Sequence, residues 1–95
     1  MKINFSARHF NASDNLQHFV TGEIGNLSKY FDGVQSADVV LAEHGSLRQA
    51  ELRITMLGRV LTAKVEGEDF YKVVPKAVEK LEAQIKSTKS KAFGR

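Results

Sequence analysis

The chain contains no cysteine, a single proline, and no acidic residue among its last twelve positions. Without cysteine there can be no disulfide, no thiol nucleophile and no zinc–thiolate site. No apolar run approaches the ~20 residues that span a bilayer. The start, Met1-Lys2-Ile3-Asn4-Phe5, alternates where a signal peptide would carry a continuous apolar block, which points away from export. No Gly-rich phosphate loop follows a strand, and Gly67 stands alone, so nucleotide-cofactor binding has no support. His9, His18 and His44 are the only imidazoles, and no two share a helix at i,i+4 spacing. Neither a metal site nor histidine-based catalysis is therefore expected.

What remains is 95 residues, 42% hydrophobic and 26% charged, an ordinary globular composition. A chain of this length buries roughly 60–65% of its unfolded surface, which is enough for one modest core and one domain, residues 1–95. The net charge is +3, and it sits at one end. Lys86, Lys89, Lys91 and Arg95 fall in the final twelve residues with no acid, while the other ten cations face all eleven acids. A pI near 9.3 without an export signal favours a cytoplasmic partner that is acidic, most often RNA or DNA.

Periodicity predicts six elements. Lys2 to Arg8 alternates with Ile3, Phe5 and Ala7 on one face, as a half-buried strand does. Ser13 is a natural helix N-cap with Asp14 in the first turn behind it. Leu16, Phe19, Val20, Ile24, Leu27 and Phe31 then recur at helical steps, and Asp32-Gly33 closes that helix. Gly22 and Gly25 each weaken it by about 1 kcal/mol relative to Ala, a cost that close approach to a sheet would offset. Three strands follow, at 36–43, 48–56 and 59–66, joined by short connections into an antiparallel meander. Their inward sets are Ala37, Val39 and Leu41; Ala50, Leu52, Ile54 and Met56; and Leu61, Ala63 and Val65. A second amphipathic stripe runs through Phe70, Val73, Val74, Ala77, Val78, Leu81 and Ile85. The order β-α-β-β-β-α implies an α+β two-layer sandwich, a four-stranded mixed sheet with both helices on one face. After Ile85, Ser87, Thr88 and Ser90 dilute the helical signal.

On a helical wheel Lys72, Lys76 and Lys80 gather on one flank of the second helix, with Lys91 near it and Glu79 and Glu82 opposite. A merely solvated face intersperses both signs, so this segregation suggests a polyanion, although charge alone does not separate the two readings. Lys86 and Lys89 also complement the helix macrodipole, as Lys29 does at the end of the first helix. If the helices pack side by side, Lys29 joins the lysine flank. Arg53 and Lys64 are expected on the open sheet face, ion-paired across strands with Glu51 and Glu66. Asp69 or Glu68 caps the second helix. Pro75 leaves two starts open for that helix: at Asp69 with a proline inside it, or at Pro75 itself.

Several segments together carry a family resemblance. Phe19-Val20-Thr21, Leu27-Ser28-Lys29-Tyr30-Phe31-Asp32, Val39-Val40-Leu41, the run from Ala63 to Tyr71, and Lys80 to Lys86 resemble the ribosome hibernation promoting factors over nearly the whole chain. The resemblance implies the same β-α-β-β-β-α fold, similar in layout to double-stranded RNA binding domains. It implies a bacterial stress or stationary-phase protein that binds the decoding region of the small ribosomal subunit and blocks messenger RNA and tRNA. Lys29, Lys72, Lys76, Lys80, Lys86, Lys89 and Lys91 are the implied contacts to 16S ribosomal RNA; Asp69 and Tyr71 match a motif that serves capping or packing. The length is similar to that of the short-form factors, which act with a separate ribosome modulation factor to give inactive paired ribosomes. One departure is Val73-Val74-Pro75, where relatives commonly carry Ala-Ile-Asp. No enzyme is implied, no cofactor, and a monomer off the ribosome; a general double-stranded RNA binding module is the alternative.

Overall fold

The computed structural model describes residues 2–93, and its elements follow the predicted order. They are β1 (Lys2–Arg8), α1 (Asp14–Tyr30), β2 (Val34–His44), β3 (Leu47–Met56), β4 (Arg59–Gly67) and α2 (Phe70–Phe93). β1 pairs with β2 in parallel, and β2, β3 and β4 form an antiparallel meander, so the sheet is mixed with order β1-β2-β3-β4. A parallel neighbour reached through a helix is what the β-α-β crossover rule demands.

Register builds the core in rows across the sheet. Phe5 lies opposite Val39, Val39 opposite Leu52, and Leu52 opposite Ala63. Strand side chains alternate faces, so this row and its neighbours two residues away all project toward the helices. Val39, Leu41, Leu52, Ile54 and Met56 are fully buried there, against Val20, Ile24 and Leu27 from α1 and Val74, Leu81 and Ile85 from α2. The predicted inward sets are the observed ones; Ile3, Phe5, Leu61 and Val65 complete them as half-buried residues at the two sheet edges.

Both helix starts are held by side-chain caps. Ser13 Oγ accepts from the Leu16 N–H at 3.1 Å, closing the first turn of α1. Asp69 Oδ1 accepts from the Tyr71 N–H at 2.9 Å, and the Asp69 carbonyl accepts from Lys72 at 3.0 Å and Val73 at 2.9 Å. Asp69 is thus the cap, and α2 runs unbroken from Phe70 with Pro75 inside it. Proline there withholds one N–H from the Tyr71 carbonyl, a group on an exposed turn where solvent can take its place. Beyond Ile85 the helix does not stop where its apolar signal thins but continues to Phe93.

Two expectations are corrected. Gly22 and Gly25 do not permit close approach to the sheet, because a methyl group at either position would meet nothing within 4 Å. On the open sheet face Arg53 pairs with Glu51 of its own strand at 3.8 Å, not across strands. Lys64 faces Glu51 in register but forms no ion pair among the described residues, and Glu66 accepts from Gln49 Nε2 at 2.7 Å.

Candidate nucleic-acid interface

Chain direction decides which ends of the helices meet. β4 runs parallel to β2, so α1 and α2, each returning across the same face, point the same way. Their N-termini share one end of the sandwich with the β2–β3 turn. Their C-termini share the other end with the β3–β4 turn.

Two contacts then fix the rotation of α2 about its axis. The Tyr71 ring meets Phe19 of α1, centroids 4.9 Å apart at 52°. Gln84 Nε2 donates to the Thr62 carbonyl of edge strand β4 at 2.8 Å. One side of α2 therefore faces α1, and the side bearing Gln84 overlooks the outer sheet edge. At about 100° per residue, Lys76 and Lys80 fall on the Gln84 side and Lys72 on the crest. Lys86 falls on the Tyr71 side, with Glu79 and Glu82. Lys29, Lys72, Lys76, Lys80 and Lys86 are all exposed, and none forms an ion pair among the described residues.

The lysines thus form two groups, not one. Lys76 and Lys80 line the flank away from α1, and Lys72 stands on the crest a helical turn before them. Lys29 does not join them: α1 lies on the opposite side of α2, so Lys29 belongs with Lys86 at the C-terminal end of the helix pair. The Lys89 and Lys91 side chains lie outside the described residues. Asp69 and Tyr71 serve the local structure, one as the cap and the other as the aromatic bridge to α1. Phe10 and Phe70, centroids 5.1 Å apart and 19° from parallel, stack beside that bridge.

Some neighbours were not legible from spacing. His9 and His44, one after β1 and one ending β2, come within 5.4 Å ring to ring because parallel pairing aligns the two strand ends. Among the described residues no three His, Asp or Glu side chains converge on a metal position, and there is no enclosed pocket. No described helix is long and apolar enough to cross a membrane. The β3–β4 turn places Leu57 and Arg59, both exposed, at the end where Lys29 and Lys86 lie.

An excess of exposed lysines on α2, over a sheet whose open face mixes both signs, defines a small α+β sandwich with its cations concentrated on one helix. Residues 3–92 match the family described as Sigma 54 modulation protein / S30EA ribosomal protein, and the chain belongs to that family. It is similar to the ribosome hibernation promoting factor of Azotobacter vinelandii, 26% identical over 95 residues that cover 100% of this chain and 89% of that protein. The fold is similar to the Thermus thermophilus Protein Y N-terminal domain, with TM-score 0.83, 28% identity, and 93% of this chain and 99% of that one covered. A ribosomal subunit interface protein from Coxiella burnetii shares the fold at TM-score 0.88 and 19% identity, over 95% of this chain and 99% of that one.

Proposed function

We propose that this chain is a bacterial ribosome hibernation factor. It binds the small ribosomal subunit at the decoding region through 16S ribosomal RNA, and it acts by occupancy, without catalysis, to exclude messenger RNA and tRNA. Residues 1–95 act as one binding domain, a cytoplasmic monomer off the ribosome. With a ribosome modulation factor it promotes inactive ribosome pairs. The observation that carries this reading is the similarity to a ribosome hibernation promoting factor along the entire chain. The exposed lysines on α1 and α2, which form no ion pair among the described residues, support it, because phosphate contacts supply affinity while fit to folded RNA supplies specificity.

Co-sedimentation with purified small subunits tests the reading. With about five cations on phosphates, log affinity falls against log salt with a slope of about −3.5 to −4.5. Lys76→Glu with Lys86→Glu weakens binding while the fold persists, since both side chains are exposed. Prior filling of the decoding site by messenger RNA and tRNA abolishes binding. A flat salt response, or binding indifferent to that competition, refutes the proposal, the latter in favour of a general double-stranded RNA module.

A further inference from the structure

The β3–β4 hairpin turns through Leu57 and Gly58, both with left-handed backbone, φ 53° and 73°. Two-residue turns of this hand favour Asn or Asp before Gly, because a Cβ at positive φ crowds the following carbonyl. Leucine here is unfavourable twice over. It adopts a conformation that other residues tolerate better, and it leaves a large apolar side chain 43% exposed. Val60, on the same hairpin, is 58% exposed. The fold asks little of Leu57: its covered side rests over Gly33, where a methyl group would lie 3.4 Å from Leu57 Cδ2.

Three cations lie at the same end of the sandwich as this tip. Arg59 follows the turn directly, Lys29 stands one helical turn before the loop that Leu57 touches, and Lys86 lies toward the same end of the sandwich, on the α1 side of α2. An acidic protein surface would suit the cations but not the leucine, and an apolar protein pocket would suit the leucine but not the cations. A nucleic acid suits both, anionic along its backbone and apolar on its base faces.

We infer that the Leu57 tip is an RNA contact in its own right: Leu57 packs against the face of an unstacked base while Arg59, Lys29 and Lys86 engage the flanking phosphates. This rests on the small-subunit binding proposed above and adds a base-contacting residue to its phosphate-contacting lysines. The turn keeps leucine, despite its backbone conformation, because the side chain is used on the partner.

Leu57→Asn separates this role from folding. Asn accepts the left-handed position, so the melting temperature holds or rises, while affinity for purified small subunits falls by at least about fivefold. A photoreactive diazirine amino acid placed at position 57 cross-links to 16S ribosomal RNA. If the parent binds and Leu57→Asn binds equally well, or if the cross-link goes only to a ribosomal protein or to nothing, the inference is overturned and the functional proposal stands. If the parent itself does not co-sediment, both fall.

Discussion

Gly67→Ala should destabilise this protein through a single contact. Gly67 ends β4 with no positive φ, so its backbone would accept any residue. A methyl group there would nevertheless lie 2.8 Å from Val73 Cγ2. Carbon atoms rest at about 3.5–4.0 Å, so something must move by about 0.7 Å or more. Val73 is 3% exposed, and a β-branched side chain on a helix has one strongly preferred rotamer, so it cannot swing aside. The strain passes instead to the first turns of α2, where Asp69 caps the helix and Tyr71 meets Phe19. Overpacking of this kind costs about 1–3 kcal/mol. At ~4–8 °C of melting temperature per kcal/mol for a domain of this size, thermal unfolding by circular dichroism reads it easily. The cycle with Val73→Ala isolates the cause. That change alone costs about 2 kcal/mol in lost burial and cavity. In its background Gly67→Ala becomes neutral or stabilising by up to ~1 kcal/mol, because the methyl now has room and the unfolded chain loses freedom. Additive effects within about 0.5 kcal/mol would refute the clash.

The other glycines predict the opposite sign. Gly22→Ala and Gly25→Ala each stabilise by about 0.5–1 kcal/mol, since the methyl meets nothing and helix propensity improves; a lower midpoint in urea denaturation would contradict this. Ser13→Ala costs ~1 kcal/mol by removing the acceptor for the Leu16 N–H, and Ser13→Asp retains most of it; equal stability of the Ala and Asp variants would dismiss the cap.

Strand and helix positions were legible because their side chains divide by period. Ile3, Phe5 and Ala7 alternate, Leu16, Val20, Ile24 and Leu27 recur at helical steps, and the inward sets of β2, β3 and β4 are as predicted. The Pro75 ambiguity was not legible, because propensity alone cannot weigh one lost hydrogen bond against the Asp69 cap and the burial of Phe70, Val73 and Val74. The glycines misled for a related reason: a wheel tells which face is apolar, not how near another layer comes.

By itself, then, the sequence determined the element order, the α+β class, the buried stripes and the excess of lysine on one flank of α2, all consequences of local period and composition. Tertiary structure alone decided how those lysines are shared out. The rotation of α2, set by Tyr71 against Phe19 and Gln84 against Thr62, turns Lys76 and Lys80 to the outer edge and leaves Lys86 on the side of Lys29. Strand direction alone brought His9 to His44, and Leu57 and Arg59 to the basic end. Contacts between residues far apart in the chain carry no periodic signature, so they appear only when the layers are assembled.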